Sequence, residues 1–101
     1  WIAGQLRAKG DIVIDNGAVH ALRQHGVSLL AVGILGVRGD FRRGDVVRCL
    51  DQNNEVIAQG LSNYGLAEVE AIKGLGSDAY SEAIGYAAEE EVVHRDNLVL
   101  I

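Results

Sequence analysis

The sequence contains no methionine, a single cysteine and no apolar run near the roughly 18 residues that a membrane-spanning helix needs. Cys49 alone excludes an intrachain disulfide framework. With no membrane segment, and no basic-then-apolar leader ahead of a cleavage site, the expected location is cytoplasmic and no membrane partner is expected. The lack of methionine and the start at Trp1 lead us to expect a fragment of a longer polypeptide.

Signatures of catalysis are missing as well. The chain has no G-x-S-x-G, no cysteine pair and no His-Glu metal motif, so neither a catalytic residue nor a metal ligand is expected. The stretch Gly33 to Gly39 lacks the Lys-Ser/Thr ending of a phosphate-binding loop and reads as turn and bulge glycines. His20 and His25 are five apart on a predicted helix. That spacing turns them by about 140 degrees, so their side chains should diverge and share no metal. Cys49 alternates with Val47 and reads as a small core residue rather than a nucleophile.

What is present fits one domain: 101 residues, 49% of them apolar, can bury a core without covalent staples. The net charge of -5 opposes polyanion binding taken globally, because phosphate attraction supplies most of such affinity. The distribution is uneven. Residues 1–50 hold seven basic and four acidic side chains, whereas from residue 66 onward two basic face eight acidic ones. The two ends of the chain therefore differ in sign.

Local patterning predicts a strand over 11–15, where two aspartates bracket Ile12, Val13 and Ile14. A helix over 16–25 should follow, capped by Asp15 or Asn16 and ended by Gly26 in a left-handed turn. Residues 27–62 read as a β-meander of four short strands, with Leu30, Ile34, Val47 and Ile57 in the core. Helical spacing returns over 66–73, Ser77 can cap a second short helix, and 98–101 reads as a closing strand. Glu89 to Glu91 read as a solvated run. Arg42 and Arg43, in a turn between Gly39-Asp40 and Gly44-Asp45, pair two guanidinium groups suited to phosphates or acidic side chains.

The run LLAVGILGVRGDFRRGDVV from Leu29 to Val47, followed by EVIAQGLSNY from Glu55 to Tyr64, resembles the PUA domain family, named for pseudouridine synthases and archaeosine transglycosylases. More narrowly it resembles the PUA domains at the C-terminus of bacterial glutamate 5-kinases, through WIAGQL at the start, DNGAVHAL, IGY at 84–86 and HRDNLVLI at the end. The resemblance covers nearly the whole chain. It implies a mainly β fold with short helices, a PUA-type β-pseudobarrel, with 1–101 as a single domain whose N-terminal amino-acid-kinase domain is absent. The parent would phosphorylate the γ-carboxylate of glutamate with ATP and Mg²⁺, the first step towards proline. This segment would then be a non-catalytic accessory, without a cofactor of its own, that modulates the kinase domain of the same chain or the assembly of a homo-oligomer.

The alternative that the resemblance implies is an RNA-binding module. In RNA-binding relatives the first helix, the glycine loop after it and the adjoining strand form the surface. The matching positions are Arg23, Gly26, Ser28, Leu29, Leu30 and Gly33, to which the charge pattern adds Arg42 and Arg43. The sequence departs from the family pattern at Ala31, where a proline usually follows the two leucines. It departs again at Gly65, where a serine usually helps to start the next helix.

Overall fold

The computed structural model describes residues 8–86 and 89–101; the opening WIAGQL lies outside them. Strand β1 (Gly10–Ile14) alternates between buried and half-buried positions, with Ile12 and Ile14 facing the core. Helix α1 (Asn16–His25) follows at once. Asp15 caps it by accepting the Ala18 N–H at 2.7 Å, and Gly26 ends it in the left-handed region at φ 58°, where a residue with Cβ is strained. Both signals are the ones expected from the sequence.

Beyond Gly26 the chain makes strand β2 (Leu29–Leu30), a 3₁₀ turn (Ala31–Gly33) and strand β3 (Ile34–Gly39), then strands β4 (Val46–Leu50) and β5 (Val56–Leu61). Helix α2 (Leu66–Ile72), a 3₁₀ turn (Ser77–Ala79) and helix α3 (Tyr80–Ile84) come next. Strand β6 (Glu91–Val93), a third 3₁₀ turn (Arg95–Asn97) and strand β7 (Leu98–Leu100) complete the described chain.

The strands of the middle region do not form a meander. The main sheet runs β3-β1-β4-β5-β7, so β1 sits between two strands that are its successors in sequence, antiparallel to β3 and parallel to β4. β1 carries three β-branched residues and buries alternate ones completely, which suits an interior position. The β3–β4 connection must therefore cross the start of β1. It does so through backbone bonds from Asp40 N–H to Lys9 C=O (3.1 Å) and from Lys9 N–H to Val46 C=O (2.7 Å). A Cβ on Gly39 would lie 2.6 Å from the Gly10 Cα, so the crossing requires glycine there.

A second ladder, β2 with β6, covers the end of the sheet: Leu29 pairs with Val93, and Leu30 with Glu91 after a bulge. Residues 91–93 follow the acidic run and form a strand that the sequence pattern did not suggest, because Val92 and Val93 are only two apolar residues. Glu90 is exposed as expected of a solvated run, but Glu89 and Glu91 are half-buried.

The core joins Ile12, Ile14, Leu22, Leu29, Ile34, Phe41, Val47 and Cys49 with Tyr64, Val69, Ile72 and Tyr80. Ile34, Val47 and Ile57 are buried as expected, but Leu30 is 38% exposed. Leu29 and Leu30 are consecutive in a strand, so they point to opposite faces, and Leu29 takes the inner one. Cys49 is fully buried, and burial pushes its thiol up to about 12. It is a core residue, with no thiolate available for nucleophilic work.

Candidate functional site

The α1 cap, the 3₁₀ turn and β2 enclose a groove of about 280 Å³. Its helical wall is Asp15, Gly17, Ala18, Ala21 and Leu22; its other wall is Ser28, Leu29, Leu30, Val32 and Gly33. Small residues at Ala18 and Ala21 leave the space open, while Asp15 ties the walls together by donating its N–H to the Gly33 C=O at 2.9 Å. Gly33 lies so close to the helix that a Cβ there would sit 2.8 Å from the Ala18 Cβ, so the groove's depth at this end depends on glycine.

The lining is mainly apolar. Leu30 and Val32 are 38% and 59% exposed at its lip, and Val27 and Leu35 add further exposed apolar surface nearby in sequence. Of the residues matched by family motif, Ser28, Leu29, Leu30 and Gly33 line the groove directly, although Leu29 is buried beneath it. Arg23 is exposed on the last turn of α1, three residues before the Gly26 cap.

Arg42 and Arg43 belong to a different neighbourhood. Their turn is closed by Asp45, whose carboxylate accepts the Arg42 N–H at 2.9 Å, and by Gly44 N–H donating to the Ser62 C=O at 2.7 Å. Arg43 reaches Glu89 at 3.0 Å. None of these partners lines the groove, and of the two ligands suited to this pair, an acidic side chain already holds Arg43.

Among the described residues Arg38, Arg43, Arg48 and Lys73 take part in ion pairs. Arg23, Arg42 and Arg95 have no carboxylate in ion-pair range among the described residues. Arg95 is the residue that sequence reasoning missed, since it lies in the acidic third of the chain. The β2–β6 ladder brings its backbone to the groove wall, where the Arg95 main-chain N–H donates to the Ser28 Oγ at 2.9 Å across 67 residues of sequence. Only long-range strand pairing brings these positions together, so no local signal could have found it.

His20 and His25 also differ from expectation. Their rings meet edge to face at 5.8 Å, because the 140 degree turn separates the Cα–Cβ vectors while each imidazole reaches well past its own Cβ. Among the described residues there is no group of three or more potential metal-ligating side chains, and no helix is long and apolar enough to cross a membrane.

Behind the groove stand two buried tyrosines, Tyr64 and Tyr80, with rings edge to face at 6.0 Å. The Tyr64 hydroxyl donates to the Glu89 C=O and accepts the Glu89 N–H. Tyr80 donates to the Glu90 C=O at 2.9 Å and accepts the Ala31 N–H at 3.2 Å; burial raises its phenol above the usual range.

Comparison with known proteins gives this geometry a context. The PUA domain model matches residues 10–84. A glutamate 5-kinase of Pseudomonas entomophila (strain L48) is 52% identical over 101 residues, all of this chain but 27% of that protein. The chain thus spans about a quarter of the curated relatives it matches. Among solved structures, a PUA domain from Aeropyrum pernix K1, in a tartrate complex, has a TM-score of 0.63 and 29% identity, covering 85% of this chain and 41% of that one. An H/ACA RNP bound to a substrate RNA has a TM-score of 0.58 and 26% identity, covering 86% of this chain and 25% of its own.

Proposed function

The chain belongs to the PUA domain family, and from that premise we propose that it is the accessory domain of a glutamate 5-kinase, acting on the kinase domain of the same polypeptide or on its assembly. The observation that carries this reading is the 52% identity running through the whole chain. ATP, Mg²⁺ and glutamate are then handled in the cytoplasm by the remainder of the polypeptide, and the present domain contributes no group to phosphoryl transfer. Its effect would reach the kinase through contacts, so the relevant quantities are substrate dependence and oligomeric state rather than the chemical step.

The test compares the full-length kinase with a version lacking this segment. We expect the shortened enzyme to retain turnover but to show altered glutamate dependence or assembly; identical kinetics and identical oligomeric state would remove the accessory role. The purified 101-residue chain should give no ATP-dependent phosphorylation of glutamate. Measurable turnover by that chain would overturn the non-catalytic assignment.

A second reading, RNA binding at the groove, is favoured by one observation: Arg23 is exposed on the helix that lines the groove and the Arg95 backbone is tied to Ser28 of its wall, both side chains without a carboxylate partner among the described residues, beside an exposed apolar lip that can pack against bases. The solved relative bound to substrate RNA supports the same reading. With two to three phosphate contacts the salt slope for a single strand should be about -1.5 to -2, so binding seen at low salt fades near physiological ionic strength. Replacing Arg23 and Arg95 by alanine should weaken an oligouridylate probe more than replacing Arg42 and Arg43. The reverse ranking would move the site to the β3–β4 turn.

A further inference from the structure

The groove's apolar lip hangs on one buried residue. Ala31 is fully buried between Leu30 and Val32, which are 38% and 59% exposed. Its carbonyl accepts the Gly74 N–H at 2.7 Å and the Ile34 N–H that closes the 3₁₀ turn. Its own N–H has one partner among the described residues, the Tyr80 hydroxyl at 3.2 Å. A phenol can accept from one group while donating to another, and Tyr80 does both, passing its proton towards the Glu90 C=O at 2.9 Å. A phenylalanine at 80 would keep the ring against Tyr64 yet leave the Ala31 N–H buried without a partner.

We infer that Tyr80 is a positioning residue for the groove: its hydroxyl, delivered from α3, holds Ala31 in place so that Leu30 and Val32 are presented outward. The local backbone supplies a strict way to examine this. Leu30 is extended at φ -106° and ψ 155°, the conformation that a residue before proline requires. Ala31 opens a 3₁₀ turn, a place where proline's φ is tolerated. A proline at 31 removes the donor that needs Tyr80, but its ring carbon would point along the lost N–H into the hydroxyl 3.2 Å away. Ala31→Pro and Tyr80→Phe are therefore each harmful alone and compensate each other together. Loss of the phenol's bond to the Glu90 C=O accompanies Tyr80→Phe whichever residue stands at 31, so it cancels in the cycle.

The experiment is a double-mutant cycle on the full chain by urea unfolding, with amide exchange at Leu30–Val32 as a second readout and Tyr64→Phe as a control. Each of the two single variants should lower the folding constant by roughly ten- to hundred-fold. The double variant should exceed the product of the two effects by at least about ten-fold. Tyr80→Phe should speed exchange at Ala31 and shift the Leu30 and Val32 methyl resonances. Tyr64→Phe, whose hydroxyl serves only Glu89 among the described residues, should destabilise without altering the groove. Additive single effects, or a groove unchanged in Tyr80→Phe, would overturn the assignment.

The binding consequence rests on the RNA reading. If the native chain binds an oligouridylate probe at low salt, Tyr80→Phe should weaken it several-fold and the double variant should regain most of the loss. If the native chain binds none, that reading fails while the cycle and the exchange data still decide the role of Tyr80.

Discussion

The interior face of the main sheet and the lip beside the small β2–β6 ladder use the same kinds of residue to opposite ends. In the sheet, Ile12, Ile14, Val47, Cys49, Ile57 and Ala58 are all fully buried, and the charged side chains on its outer face pair with one another, as Arg48 does with Asp11 at 2.8 Å. In and beside the ladder Leu30 and Val32 face solvent, and among the described residues Arg23 and Arg95 stand without carboxylates. Surface that is apolar and basic without internal partners is surface available to something else. The division is one of faces rather than whole strands: Leu29, Val92 and Val93 of the ladder are buried like the sheet interior, and Leu35, Leu61, Val99 and Leu100 leave apolar surface on the sheet as well.

The sharpest way to break this contrast is to truncate one strand residue from each region. Ile57→Ala should cost about 2 to 5 kcal/mol, because a fully buried side chain leaves a cavity, whereas Leu30→Ala should cost about 1 kcal/mol or less. Chemical denaturation checks both. Equal losses would show that Leu30 is as structural as the sheet residues and would dissolve the division.

The sheet's dryness also predicts an alkaline weakness. Cys49 rises from an ordinary 9.0 to about 12 on folding, so the native chain keeps a proton that the unfolded chain releases above pH 9. Stability from this group is intact below pH 9 and falls by about 1.4 kcal/mol per unit as pH climbs towards 12. Tyr80, also raised, adds a loss of the same sign above the normal phenol range. Unfolding midpoints measured between pH 8 and 11 should slope less steeply for Cys49→Ala than for the native chain. Parallel slopes would mean that water reaches the sheet interior.

The smallest expected effect lies at Gly65, the N-cap of α2, beside the turn at Phe41 and Arg42. Glu68 already accepts the Gly65 N–H at 2.9 Å, but glycine offers no oxygen in return. The backbone there is extended, and an added Cβ would meet nothing closer than 3.5 Å. Gly65→Ser should therefore stabilise the chain by a few tenths to about 1 kcal/mol, read as a raised Tm. A lowered Tm would show that the turn at Phe41 and Arg42 resists the side chain.

Much of this organisation is legible in the residues themselves. Asp15 and Gly26 mark both ends of α1 because capping and left-handed termination are local chemistry, and Val47 with Cys49 identify an inward strand face by simple alternation. Four motif-matched positions at Ser28, Leu29, Leu30 and Gly33 already outline the groove. Tertiary structure alone decided the rest. The insertion of β1 between β3 and β4, the pairing of β2 with β6, the arrival of Arg95 at Ser28 and the bond from Ala31 to Tyr80 all join segments far apart in the chain. Strand registers and buried hydrogen bonds of that kind are chosen by the burial and polar satisfaction of the whole fold, a condition that no local window of sequence contains.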